Sequence, residues 1–271
     1  RSAQSHLRGT VKLCEALRDN GMLREAQERT SLAEAELDQF RHAAEAMYLP
    51  FDSDLGICAQ DDAFLSKKRL DLSRIPKERF PLLMHYHPLF LYRHQVCKQA
   101  DTVLAHFLYE EGEDEAAIRR GYDYYEEITT HDSSLSECIF SMMAARTGRP
   151  EKAYDYYRRT AALDLEDTHG NTADGIHAAN MGGCWMGIVF GFAGLRLHRN
   201  GLAFRPCLPD EMEGYSFRLT WRGTGMLVLV QGGEALFMIQ SGPGLELSVY
   251  DQEYRVEYEL PVPIKANAGE T

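Results

Sequence analysis

Apolar residues recur at intervals of three and four along most of the first 198 positions, the period of helices with one buried face. HLRGTVKLCEALRDNG (6–21) shows this spacing and closes on Asn-Gly, a helix stop. REAQERTSLAEAELDQFRHAAEAMY (24–48) predicts a second amphipathic helix, and YRHQVCKQADTVLAHFLYEEG (92–112) another, ending at Gly112. EDEAAIRRGYDYYEE (113–127) follows. SLSECIFSMMAARTG (134–148) and PEKAYDYYRRTAAL (150–163) predict a helical pair, with Gly148 as a stop and Pro150 as a first-turn residue. DGIHAANMGGCWMGIVFGFAGLRL (174–197) predicts a last, apolar helix. Between 49 and 90 periodicity is weak and Pro, Gly and charges mix, so a long connecting segment is expected there.

Near residue 200 the period changes to two. In GYSFRLTWRG (214–223), Tyr215, Phe217, Leu219 and Trp221 alternate with Ser216, Arg218, Thr220 and Arg222. MLVLVQGGEALFMIQSG (226–242) predicts a hairpin about Gly232-Gly233, and LELSVYDQEYRVEYEL (245–260) a pair about Asp251-Gln252. PVPIKANAGET (261–271) reads as a frayed tail. The chain is thus expected to be mainly α, with a helical part over 1–200 and a small antiparallel β domain with its tail over 201–271. Helices followed by strands argue for segregated layers rather than a βαβ sheet. No Gly-rich strand-to-helix turn supports a dinucleotide or P-loop site.

Composition narrows the function classes. The formal net charge is -12 with no basic patch, which argues against nucleic acid and anionic membrane surfaces as partners. The six Cys lack CxxC spacing, and several sit among apolar neighbours, which points to free thiols and a cytoplasmic protein. The start has no apolar core, so it is not a signal peptide. It also lacks Met and opens in mid-helix, as a piece of a longer chain would. MGGCWMGIVFGFAGLRL (181–197) carries Gly183, Gly187 and Gly191 at GxxxG spacing but is too short to span a bilayer. A buried helix with close backbone contacts is expected. No His is paired with a carboxylate at ligand spacing, so no metal and no cofactor are expected.

THDSSLSE (130–137) packs a His, an Asp, hydroxyls and a Glu just before a predicted helix. Ser134 with Glu137 fits an S-x-x-E capping box. One cap needs one hydroxyl, however, and His131, Ser133, Ser134 and Ser136 exceed that need. Helix-start amides with hydroxyls and an imidazole suit an anion such as phosphate. HGNTADGIH (169–177) repeats the theme: Thr172 or Asp174 could cap the next helix, with His177 one turn in. Two unrelated capped helices remain the plainer reading. KQAD (98–101) lies in a predicted apolar helix, where Lys98 and Gln99 face either solvent or a cavity. The aromatic and His cluster HYHPLFLYRHQ (85–95) is either a sugar pocket or core with polar tips.

These stretches, in order, resemble the C-terminal part of glycoside hydrolase family 65, the inverting α-glucoside phosphorylases. The matching residues are MYLPFDSDLGI (47–57), QDDAFL (60–65), HYHPLFLYRHQVCKQADTVLA (85–105), YYEEITTHDSSLS (124–136), NTADGIHAANMGG (171–183), WMGIVFGFAGLR (185–196) and LAFRPCLPDEMEGYSFRLTWRG (202–223). The resemblance implies part of an (α/α)6 barrel followed by a small β domain. It implies that Lys98 and Gln99 bind the glucosyl unit. It implies phosphate, a co-substrate rather than a cofactor, at His131, Ser133, Ser134, Ser136, Thr172, Gly175 and His177. The reaction would cleave an α-glucosyl disaccharide with inorganic phosphate, giving β-glucose 1-phosphate and a free sugar. The intact enzyme would be a homodimer. The family's general acid, the Glu of a GPDE motif, has no match here; LPDEMEG (208–214) stands at the junction with the β domain, so Glu211 is not assigned that role. No catalytic residue is therefore expected in this chain, and half a barrel would expose apolar surface. The alternatives are a family 65 hydrolase, which would need a base carboxylate near residue 137, and a non-catalytic helical binding or scaffold remnant.

Overall fold

The computed structural model describes residues 1–109, 113–198 and 201–265. They fall into two compact units, 1–66 with 104–121, and 67–103 with 122–271.

In the first unit, α1 (Ser2–Asp19), α2 (Leu23–Thr30) and α3 (Glu34–Ala46) enclose a small core of Cys14, Leu23 and Leu37. The single helix expected over 24–48 is two helices. Ser31 adopts left-handed backbone, and the Glu36 carboxylate reaches back to the Ala33 amide at 2.7 Å, capping a fresh start. A short antiparallel pair follows, β1 (Phe51–Asp52) with β2 (Ile57–Cys58).

In the second unit, β3 (Lys68–Arg69) pairs in parallel with β4 (His94–Gln95), flanking the short helices α4 (Leu82–His85) and α5 (Pro88–Leu91). The helix expected from Tyr92 starts only at Asp101, as α6 (Asp101–Leu108). Its expected stop at Gly112 lies outside the described residues. Residues 94–97 are instead drawn into extended pairing: the Cys97 amide donates to the Ile128 carbonyl, and the Thr130 amide donates to the Cys97 carbonyl, both at 2.8 Å. From Leu104 α6 falls in the first unit, as does α7 (Glu115–Glu126) as far as Gly121; α8 (Ser136–Arg146), α9 (Pro150–Ala162) and α10 (Ala178–Met186) follow in the second. From Cys138 to Ala144 every residue of α8 is buried, which makes it the central helix of this unit. α10 continues as a π-turn over Gly187–Phe192, and Arg196 donates to the Phe190 carbonyl at 2.7 Å near its end. Among the described residues no helix is long and apolar enough to cross a membrane.

The β region begins earlier than expected, at β5 (Arg196–His198), which pairs with β6 (Gly201–Phe204). β7 (Gly214–Trp221), β8 (Thr224–Gln231) and β9 (Glu234–Ser241) form an antiparallel meander. Its second turn uses Gly232 and Gly233, both at positive φ, as the alternation predicts. β10 (Leu245–Val249) and β11 (Gln252–Val256) turn at Tyr250-Asp251, both at positive φ, one residue before the expected position. β6 pairs with β10 in parallel, so the domain is not purely antiparallel. The start of the expected tail belongs to β12 (Glu259–Pro263), which pairs with β9; its pattern is hard to read because two prolines interrupt it. The sheet orders are β11-β10-β6-β5 and β12-β9-β8-β7, and Phe204 of one meets Phe237 of the other at 4.9 Å.

Candidate functional site

The glycines of the last helix set the geometry of the site. A Cβ at Gly183 would sit 2.7 Å from Cys138 Sγ, one at Gly187 would meet Tyr157 at 2.8 Å and Ser141 at 3.9 Å, and one at Gly191 would meet the Met142 backbone at 3.3 Å. The partners advance along α8 as the glycines advance along α10, so the two helices run parallel at close range. Their N-termini therefore lie at the same end, offset by three residues, or about 5 Å. α9 returns from α8 through the Gly148 turn, so its C-terminus reaches that end too. There Asn180, fully buried, donates to the Thr160 carbonyl at 2.8 Å. The GxxxG spacing thus marks a close helix contact, as expected, but only that face of α10 is buried: Met181 and Trp185 are exposed.

The Cys97–Thr129 pairing brings a third segment alongside. It places Lys98 and Gln99 just past the bridge, on an irregular stretch leading to α6, and not on a helix face. Lys98 is exposed; Gln99 is half-buried and donates to Asp101 at 3.0 Å.

At the start of α8 the capping box does not form. The helix begins at Ser136, with Leu135 as N-cap and no side-chain cap bond, so Glu137 is one position too early to reach back. Glu137 instead pairs with Arg159 at 3.1 Å. Burial pushes its carboxyl above the usual range, and Arg159 opposes that. His131, at φ 57, turns inward. Its Nδ1 lies 2.9 Å from Ser136 Oγ, its Nε2 3.4 Å from the Tyr156 hydroxyl, and its ring stands edge-on to Phe140. Burial, helped by the Arg159 charge, lowers its pKa to about 4, so it is neutral at pH 7. Ser136 is fully buried. These two residues therefore face each other, while Ser133 and Ser134 remain half-exposed at the tip. Asp132 is held by the Leu82 amide at 2.8 Å.

At the start of α10, Thr172–Asp174 form a separate 3-10 turn, and Gly175 takes φ 125, a region that favours glycine. Neither Thr172 nor Asp174 caps the helix: the N-cap is His177 itself, not a residue one turn in. Asp164, just past α9, accepts the His177 backbone amide at 2.8 Å and lies 2.5 Å from His177 Nδ1. These bonds from His177 hold the Asp164 carboxyl below the usual range. Thr172 is half-buried, and its amide donates to Asp167 at 3.0 Å. Sequence reasoning missed Asp164 and Arg159, since their partners lie 13 and 22 residues away and no local spacing signals them. Among the described residues no group of three His, Cys, Asp or Glu is placed to hold a metal.

Residues 3–186 match the glycosyl hydrolase family 65 central catalytic domain, and 195–256 match the family's C-terminal domain. The chain belongs to glycosyl hydrolase family 65. Among family 65 relatives it is 50% identical to the α,α-trehalose phosphorylase of Geobacillus stearothermophilus, over 89% of this chain and 32% of that protein. It is 33% identical to the maltose phosphorylase of Bacillus subtilis, over 84% of this chain and 30% of that protein. A solved structure of a putative kojibiose phosphorylase from the human microbiome superposes with TM-score 0.83 at 26% identity, covering 93% of this chain and 34% of its own. The chain thus spans about a third of the length of the relatives it matches.

Proposed function

We propose that this chain is the C-terminal part of an inverting disaccharide phosphorylase whose barrel it helps to build. Its α8 and α10 starts would hold the phosphate that attacks C1 of an α-linked glucosyl unit. The observation that carries this reading is the parallel packing of α8 on α10, which sets two donor-rich helix starts at one end; Lys98 and Gln99 follow the Cys97–Thr129 bridge on the segment before α6. Helix N-termini favour anions, and the Ser133, Ser134 and Thr172 hydroxyls with His177 add donors. Three acids at this end are engaged, Glu137 by Arg159, Asp132 by a backbone amide and Asp164 by His177, while Asp174 is exposed on the turn before α10.

Phosphorolysis needs no base, because phosphate is already an anionic nucleophile. One phosphate oxygen bonds to C1 from the face opposite the leaving oxygen. The C1–O bond breaks, and the leaving oxygen takes a proton from an acid outside this chain. Inversion gives β-glucose 1-phosphate. A hydrolase would need a free carboxylate to activate water, and the Arg159 contact makes Glu137 a poor candidate. Of the disaccharides named in the relatives, α,α-trehalose belongs to those that are 50% and 42% identical, and it is the substrate we assign. Incubating the full-length protein with trehalose should release glucose 1-phosphate and glucose in equal amounts, and only when phosphate is present. Equal cleavage in phosphate-free buffer would establish a hydrolase instead.

A further inference from the structure

Asp164 grips His177 twice, through the backbone amide at 2.8 Å and through Nδ1 at 2.5 Å. An ionised carboxylate only accepts, so Nδ1 must carry a proton. In the neutral ring Nε2 then has a lone pair and no hydrogen. The surroundings agree: the Asn171 Nδ2 donor faces Nε2 at 3.4 Å, a long contact that an anion can displace. The Asn171 Oδ1 is buried with no hydrogen-bond partner among the described residues, so its amide can turn over and accept from Nε2 once that nitrogen is protonated.

We propose that Asp164 is a positioning residue which fixes the His177 tautomer, so that Nε2 donates to phosphate only when the ring carries both protons. This rests on the phosphate reading above. It makes anion binding at this end dependent on ring protonation, because a neutral ring would turn a lone pair toward the anion. The other titratable or charged groups on the elements around His177 are Asp167, His169 and the exposed Asp174 on the linking segment, Cys184 on α10, and Glu137 with Arg159 where α8 meets α9. His169 stands edge-on to His177 at 6.1 Å, and Asp167 is tied to the Thr172 amide. Asp164 alone of these bonds to the ring at Nδ1.

The test uses Asp164→Asn in the full-length protein, with sulfate as a competitor of phosphate, since sulfate has no titrating proton near neutrality. Asparagine keeps an oxygen for the His177 backbone amide and presents Nδ2 to Nδ1, which reverses the tautomer and leaves a hydrogen on Nε2 in the neutral ring. Sulfate inhibition of the wild type should weaken about tenfold over the pH range in which the ring loses its second proton, the effect of losing one charge-assisted bond. In Asp164→Asn it should change by less than about twofold. Parallel pH dependence in the two proteins overturns the proposal. So does a 15N-histidine solid-state spectrum of the wild type, assigned against His177→Gln, that places the neutral proton on Nε2. That spectrum needs no ligand and does not depend on the folding of Asp164→Asn. If sulfate and phosphate do not compete in the wild type, the phosphate reading fails, and the ligand half of this inference with it, while the spectrum still decides the tautomer.

Discussion

Phe140→Ala is expected to destabilise the folded protein by about 3–5 kcal/mol, the range for a large aromatic removed from a closed core. Phe140 has no exposed surface, and its ring meets Tyr122 at 5.5 Å, His131 at 4.8 Å and Tyr156 at 5.7 Å. The walls of the cavity cannot easily close, because two of them are pinned. The Tyr122 and Tyr156 hydroxyls both donate to the Glu126 carboxylate at 3.0 Å, and Lys152 binds its other oxygen at 2.8 Å. The loss should also reach the site, since Phe140 is the edge-on partner that seats His131 and hence Ser136. Urea unfolding of wild type and variant measures the cost. A change below about 1 kcal/mol would mean that α8 is not packed as described here, because only a surface side chain is lost so cheaply.

Where the wild-type ring carries both protons, His177→Ala is expected to raise the KM for phosphate by roughly 10- to 100-fold, the cost of one hydrogen bond to a charged group. Its effect on the turnover rate at saturating phosphate should be much smaller. The reason is geometric: Asp164 holds both the backbone and Nδ1 of His177, so the ring can offer the ligand only Nε2. Ser136→Ala provides the contrast. Its hydroxyl is buried against His131, so its loss should lower stability by about 1–3 kcal/mol and move the phosphate KM less than His177→Ala does. Initial rates at varied phosphate separate the two. An unchanged phosphate KM in His177→Ala would remove His177 from the site.

Much of the fold was legible because its driving pattern is local. Period-three-to-four spacing located α1, α7, α8 and α9; alternation located β7, and the Gly232-Gly233 pair its hairpin partner strands. What failed was non-local. Tyr92–Ala100 has helical spacing, yet Cys97 is claimed by backbone partners at Ile128 and Thr130. The S-x-x-E pattern at Ser134 had the right residues, but Arg159 on a neighbouring helix outbid the Ser134 backbone for Glu137. The start of α10 was placed too early because Gly175, at φ 125, interrupts what reads as one continuous polar-to-apolar run.

The candidate site was legible in a different way. Resemblance supplied the residue types, and the three glycines supplied a reason for two helices to lie close, but only coordinates give their direction. Had α10 run antiparallel to α8, the same residues would stand a helix length apart. The structure also divides the candidates by exposure: Ser133, Ser134, Thr172 and His177 border the tip, while Ser136 is buried and His131 turns inward beneath it. Hydroxyl content in a sequence does not distinguish a ligand from the side chain that supports it.

The most direct measurement is a crystal structure of the full-length protein grown with phosphate and glucose. Phosphate should lie within hydrogen-bonding distance of both Ser134 and His177, with glucose close to Lys98. Phosphate bound at one helix start alone, or away from both under conditions that saturate activity, would contradict the account.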